Sequence, residues 1–186
     1  MTTAAGYRTV EEFGTGTLHL FELPTDEHTL LDILTYLFTE QWAHISFGVL
    51  VQGAAWEITT EQPARRISMY DGYATIDLGR WHFHLCIGEH TASGPELGRA
   101  RRCARAELYR RLDPGGIPMS WAFRMINGIG EQMTTVFLPN PFLSDVQQPL
   151  DPPDFTRLAA WDHLRATHLD LDPDPLDRTG TGFHHG

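Results

Sequence analysis

Two histidines in the segment from Trp81 to His90 are spaced as metal ligands on a β-strand would be. Alternate side chains of a strand share a face, so His82 and His84 point one way and Trp81 and Phe83 point the other way, into a core. Their Cα atoms would lie about 7 Å apart. At that distance two imidazole nitrogens can converge on one ion with bonds of about 2.0–2.1 Å. The segment therefore predicts a metal site.

The third ligand is open between three neighbouring side chains. His90 has the same parity as His82 and His84 if the strand stays regular, whereas Gly88 could bend the chain and swing Glu89 inward. Cys86 shares the face of the two histidines and its thiolate would suit Zn²⁺. We predict His82, His84 and His90 as the metal ligands and Glu89 as the catalytic general base. Glu89 and Cys86 are the alternative third ligands.

The ligand set would decide the metal, and the metal the chemistry. Three histidines leave an open position at which zinc turns water into a nucleophile near neutral pH. Two histidines and a carboxylate would suit Fe²⁺ and oxygen chemistry instead. The leading hypothesis is a small metal-dependent hydrolase or lyase, with Zn²⁺ favoured and Fe²⁺ second. A non-catalytic metal- or ligand-binding sensor or carrier is the first alternative, and a structural or interaction module without metal is the second.

Two known metal motifs share part of this pattern. The strand around His82 and His84 resembles the H-x-H strand of α-type carbonic anhydrases, which bind zinc through three histidines. The spacing from His82 and His84 to Glu89 resembles the first metal motif of cupins. Cupins carry a further histidine on a later strand, and residues 121–138 contain none. Both resemblances are short, and neither implies a fold or a substrate for this chain.

The absence of lysine excludes several classes of enzyme. All 14 basic residues are arginine. Schiff-base and pyridoxal-phosphate enzymes, Walker-type ATPases and kinases all depend on a lysine. The chain also contains neither a G-x-S-x-G nucleophile elbow nor a G-x-G-x-x-G dinucleotide fingerprint. Catalysis would have to come from other side chains or from a bound metal.

Charge and cysteine usage indicate the compartment and the partners. The net charge is −10, with the acid concentrated after Asp145, which disfavours nucleic acid and anionic membranes as partners. No apolar run reaches the roughly 20 residues of a membrane span, and residues 1–17 lack a signal-peptide core. Cys86 and Cys103 alone do not argue for a disulfide. We expect a cytoplasmic protein with a small-molecule substrate or ligand, and a homo-oligomer is compatible with the sequence.

The elements that would position the histidine strand predict an α+β fold with a mainly antiparallel sheet. Residues 45–87 read as a meander of about five strands, in which Asp71-Gly72 is a strong hairpin signal. Residues 121–138 form a later hairpin. The helices are expected at 27–42, 95–112 and 154–168. We predict a single domain over 1–186, with a flexible arm at 1–13 and an irregular acidic tail at 170–186.

The predicted helix 95–112 carries a cluster of arginines on one face. This face would be solvated, would steer an anionic substrate or would dock the acidic tail. The cluster consists of Arg99, Arg101, Arg102, Arg105, Arg110 and Arg111.

Overall fold

The computed structural model describes residues 6–51 and 53–183. Within these residues the strands form one sheet of six, one of three and one of two. The strands are β1 Arg8–Glu12, β2 Gly16–Leu23, β3 Ser46–Gly48, β4 Leu50–Val51, β5 Ala54–Ala55, β6 Arg66–Tyr70, β7 Tyr73–Asp77, β8 His82–Cys86, β9 Cys103–Leu112, β10 Pro118–Asn127 and β11 Gln132–Phe137.

The large sheet has the strand order β1-β2-β9-β10-β11-β3, and the three-stranded sheet has the order β6-β7-β8. The short strands β4 and β5 pair with each other. Antiparallel sheets combined with helices confirm the predicted α+β class. Of the strands within residues 45–87, β6, β7 and β8 form a meander, β4 and β5 pair with each other, and β3 belongs to the large sheet.

Three α-helices lie in the described part of the chain: α1 Glu27–Thr35, α2 Pro95–Arg101 and α3 Ala159–Leu169. Helix α1 begins at Asp26, whose side chain accepts a hydrogen bond from the Thr29 amide, and it continues as a π-helical turn over Tyr36–Glu40. A 3₁₀ turn, Phe155–Leu158, precedes α3. None of these helices is long and apolar enough to cross a membrane.

The predicted helix 95–112 is wrong beyond its second turn. Helix α2 ends at Arg101, Arg102 is extended, and β9 follows at once. The reason is tertiary: β9 lies between β2 and β10, so both its edges are paired and most of its residues are buried. Strand partners on both sides outweigh the helical spacing of Leu97, Ala100, Ala104 and Leu108, on which the predicted helix depends.

The two chain ends also differ from the predictions. Residues 8–12 of the predicted flexible arm pair with β2 as a regular strand, while residues 1–5 lie outside the described part. In the predicted irregular tail, Pro175–Arg178 forms a 3₁₀ helix whose Asp177 is buried. Residues 184–186 again lie outside the described part.

The chain divides into two compact units. One contains the chain up to Leu23, residues 107–123 and the chain from Phe137 onward, and the other contains the intervening segments. In the second unit the rings of Phe38, Phe47 and Phe83 pack with centroids 4.9–5.3 Å apart. Strand β8 therefore packs through Phe83 against Phe38 and Phe47. Whether both units fold as one domain stays a prediction.

Candidate functional site

Strand β8 holds the two histidines at the edge of the three-stranded sheet. His82 and His84 are exposed, Phe83 is half-buried and Leu85 is buried. The alternation follows the pleat of the strand, and β7 pairs Asp77 with His82 and Thr75 with His84. The two imidazole rings meet edge to face with centroids 5.1 Å apart. The structure therefore brings these two predicted site residues together.

Trp81 does not lie in the core as the sequence pattern suggested. It is 74% exposed and precedes the first residue of β8. The turn over residues 77–81 displaces it, because the Leu78 amide donates to the carbonyl of Trp81 and the Gly79 amide donates to the Asp77 carboxylate. The indole is thus presented at the surface.

The predicted metal centre is wrong. In residues 6–51 and 53–183 no group of three or more His, Cys, Asp or Glu side chains is placed to hold a metal ion. Nδ1 of His84 lies 2.8 Å from the Thr75 hydroxyl. His90 lies beyond the other end of β8, where its Nδ1 is 2.8 Å from the Asp71 carboxylate. A free Zn²⁺ or Fe²⁺ ion as cofactor, with His90 as third ligand, is therefore not supported.

The two alternative ligands are also unsuited. Cys86 is buried, and burial raises the pKa of its thiol, which opposes the thiolate that a metal needs. Glu89 is exposed. Its backbone packs against Gly72 of the hairpin turn, so closely that a Cβ on Gly72 would lie 2.6 Å from the Glu89 carbonyl. The general-base role predicted for Glu89 stays a prediction.

A cavity of about 750 Å³ opens beside His82. This volume lies within the range of small-molecule pockets, roughly 300–1,000 Å³. All its lining residues belong to the second compact unit. Apolar side chains make up most of its wall, and they are Phe47, Val49, Trp56, Ile58, Leu78, Trp81 and Phe83.

The wall is built from several separate segments of the chain. Phe47 of β3 stacks on Phe83 of β8, with centroids 5.2 Å apart and planes 25° apart. Gly48 lies so close to the Trp56 backbone that a Cβ there would overlap the Trp56 carbonyl. Trp56 and Trp81 are 55% and 74% exposed. Large apolar side chains left open beside a cavity indicate a surface that a ligand covers.

Polar and charged groups lie at the same cavity. Arg65, Arg80 and His82 supply two permanent positive charges and one imidazole, and Glu61 supplies one carboxyl group. Arg65 is held by its backbone, whose amide donates to Asp77. Its guanidinium lies against Gly79, where a Cβ would come within 2.9 Å of Cζ and where φ is +90°. The positive φ at Gly79 favours glycine at this position.

Of the lining residues, sequence reasoning singled out only His82 for function. Within the predicted meander, Trp56 and Ile58 follow the short strand β5, Ala54–Ala55. The missed signal was the recurrence of Trp56, Arg65, Arg80 and Trp81 around the histidine strand. Tryptophan and arginine near an imidazole are typical of a binding surface, but their convergence is visible only after folding.

The comparisons with known proteins agree with the fold. A family model described as "Family of unknown function (DUF7676)" matches residues 7–170, and the chain belongs to that family. Two solved structures, entitled "Crystal structure of ChuX" and "Structure of the Heme Binding Protein ChuX", each have a TM-score of 0.50. They are 18% and 19% identical, and both alignments cover 80% of this chain and 76% of the other. No protein with a curated description matches.

Proposed function

We propose that this member of the DUF7676 family is a carrier that binds haem in the cavity beside His82. The observation that carries the proposal is the combination of an aromatic wall, one imidazole and two arginines around a single cavity. The hypothesis of a metal-dependent hydrolase or lyase is wrong, because residues 6–51 and 53–183 form no group of metal ligands and one similar structure is entitled a haem-binding protein. The alternative of a ligand-binding carrier agrees better with these findings.

The cavity wall suits a flat apolar ring system. Phe47 and Phe83 present stacked rings, and the exposed indoles of Trp56 and Trp81 would be covered by the ligand. Burying apolar surface contributes roughly 25 cal/mol per Å². A porphyrin has a large apolar face, so this wall would supply most of the affinity.

His82 is the group that would reach the haem iron. Histidine is a common axial ligand of haem, and one imidazole is enough for that role. Its neighbour His84 touches the ring of His82 edge to face and is itself held by Thr75. Of these two exposed imidazoles, only that of His82 lines the cavity, and a site for a free ion would need more ligands from the protein.

Arg65 and Arg80 would bind the two carboxylates of the haem edge. A guanidinium forms paired hydrogen bonds with a carboxylate and stays charged at all physiological pH values. In a chain of net charge −10, two arginines at one apolar cavity are a local exception that suits an anionic ligand.

The comparisons support the proposal in part. One similar structure is entitled a haem-binding protein, and this chain shares its fold at low sequence identity. The residues at the cavity supply the rest of the argument. We place the protein in the cytoplasm, where the unpaired thiols of Cys86 and Cys103 would persist.

The test is a haem titration followed by the Soret absorbance. We expect saturation at one haem per chain, at least tenfold weaker binding by His82→Ala and a shifted Soret maximum. His28→Ala is the matched control, because His28 is an exposed histidine on α1 and does not line the cavity. All proteins carry H184Q and H185Q, since extra imidazoles at the terminus bind haem on their own.

The proposal would be overturned if His82→Ala bound haem as tightly as His28→Ala. It would also be overturned if the parent showed no saturable binding. Paired Arg65→Gln and Arg80→Gln substitutions should weaken haem more than its dimethyl ester, because only the free acid presents carboxylates.

A further inference from the structure

Asp71, His90 and Ser93 form a hydrogen-bonded chain away from the cavity. Nδ1 of His90 lies 2.8 Å from the Asp71 carboxylate, and Nε2 lies 2.8 Å from the Ser93 hydroxyl. A carboxylate, an imidazole and a hydroxyl in this order activate serine as a nucleophile. We propose that Ser93 is a metal-free nucleophile that hydrolyses small carboxylic esters.

The contacts of His90 favour the tautomer that such chemistry needs, with the proton on Nδ1 and the lone pair on Nε2. Asp71 accepts at Nδ1, and its pKa is lowered to about 2 by hydrogen bonds from the amide and hydroxyl of Thr91 and the amide of Ala92. It is therefore ionised at neutral pH and holds the proton on Nδ1. A guanidinium nitrogen of Arg101 lies 3.2 Å from Nε2. Arginine can only donate, so Nε2 is an acceptor there.

The chain of three residues is held by backbone contacts. Asp71 and Gly72 form the turn between β6 and β7, with φ of 45° and 80°. The amides of Ile87 and Gly88 both donate to the Gly72 carbonyl, which fixes the segment leading to His90 on this turn. The ring of His90 lies edge to face on Tyr73, with centroids 5.1 Å apart. Its side chain is only 8% exposed, whereas Ser93 is open to solvent.

Arg101 supplies the charge that the reaction would require. Its guanidinium lies 2.8 Å from the Ser93 oxygen. The carbonyl oxygen of an ester attacked by Ser93 would become negative beside this permanent positive charge. Because Ser93 and Arg101 are exposed, the site suits a short acyl group that arrives from solvent.

The reaction balances without a further reagent. The Ser93 oxygen forms a bond to the ester carbon while its proton passes to Nε2 of His90, and the carbonyl electron pair moves to oxygen. The bond to the alcohol then breaks, and the alcohol leaves with the proton from His90. Water attacks the acyl-serine with His90 as base, releasing the carboxylic acid and restoring Ser93. Asp71 acts through His90 as a positioning residue.

The same contacts would also arise if the three residues only anchored residues 90–93 to the hairpin turn. Labelling separates the two readings. The parent protein is treated with a fluorophosphonate, and the adduct is mapped by mass spectrometry. We expect one adduct, on Ser93, that does not form in His90→Gln. Absence of an adduct on Ser93 in the folded parent overturns the proposal.

Turnover is measured with p-nitrophenyl acetate. We expect Ser93→Ala to lower the rate at least tenfold and Asp71→Asn to change its pH profile. Ser144→Ala is the matched control. Ser144 is, like Ser93, a serine in a loop whose oxygen accepts a hydrogen bond, in this case from the Gln148 amide. Equal rates for Ser93→Ala and the parent contradict the proposal. Haem titration of Ser93→Ala should match the parent, so either proposal can fail alone.

Discussion

Two carboxylates each organise a polar network, one in each compact unit, and they differ in burial. Asp177 is 1% exposed. Inside its unit it accepts three hydrogen bonds and lies 3.8 Å from one further guanidinium nitrogen. Asp71 lies at a hairpin turn and organises a loop that solvent reaches. Both use the same chemistry, a carboxylate facing nitrogen donors. Their surroundings decide whether that chemistry stabilises a fold or stays available to a ligand.

The side chains of the Asp177 network are buried in the interior of its unit. One oxygen accepts from Arg110 and from the indole of Trp121, each at 2.8 Å, and the other accepts from the indole of Trp161 at 2.9 Å. Arg165 lies 3.8 Å from the second oxygen. A buried charge with this many partners is costly to disturb, because any remaining group would be left unpaired in an apolar interior.

The Asp71 network is open by contrast. The Ser93 hydroxyl and the Arg101 guanidinium are exposed, so an incoming molecule can replace a contact between them. The comparison teaches that a polar network is a candidate for chemistry when one end of it reaches solvent. A network of carboxylate and nitrogen donors that is buried throughout is a structural element.

The largest effect is expected from Asp177→Asn. It removes the buried carboxylate that Arg110 and Arg165 share, so that Arg110 keeps only Asp174, at 2.8 Å, as a close carboxylate. The loss should lower the free energy of unfolding by about 3–5 kcal/mol. Urea denaturation at pH 7 measures this. Asp172→Asn is the control, because Asp172 is an exposed acid in the same segment. A loss no larger than that of the control would show that the network does not hold the unit together.

A smaller, pH-dependent effect is expected at His19, whose Nδ1 accepts from Arg110. Burial, and then the charge of Arg110, lower its pKa from 6.5 to about 4. Between these values only the unfolded chain takes up the proton, so stability is full above pH 6.5 and is lost as the pH falls toward 4. The loss attributable to His19 is up to about 3 kcal/mol.

His19→Gln tests this, since the amide oxygen of glutamine can still accept from Arg110. The stability of the parent should fall more steeply than that of the variant between pH 6.5 and 4. His28→Gln, at an exposed position, serves as the control. Parallel pH profiles for the parent and His19→Gln would contradict the expectation.

The smallest effect on stability is expected from Asp71→Asn. The carboxylate has a pKa of about 2 in the folded chain, below its ordinary 3.8. Its contribution is therefore full above pH 3.8 and is lost as the pH falls toward 2. The difference between parent and variant in thermal unfolding should shrink over that interval. A difference that stays constant down to pH 2 would show that the charge of Asp71 is not its cause.

Local signals in the sequence predicted several elements well. The Asp71-Gly72 turn between β6 and β7 and the shared face of His82 and His84 are both set by neighbours in the chain. Each depends on backbone preferences or on the period of two residues in a strand. These features could be read before any tertiary contact was known.

The candidate site could be predicted only in part. His82 was identified because its strand carries a clear pattern, but Trp56, Arg65 and Arg80 meet it through long-range folding. His90 was assigned to a metal by its parity with His82. It instead faces Asp71, because Gly88 and Ile87 are bonded to the hairpin turn and the strand ends at Cys86.

The sequence by itself determined the α+β class, the hairpin turn and the histidine face, because each follows from the local alternation of apolar residues and from turn residues. The tertiary structure decided that residues 103–112 form a strand and that Asp177 is buried in contact with Arg110. It also decided that a cavity, and not an ion site, lies beside His82. These outcomes depend on pairing and burial between segments far apart in the chain, which no local pattern records.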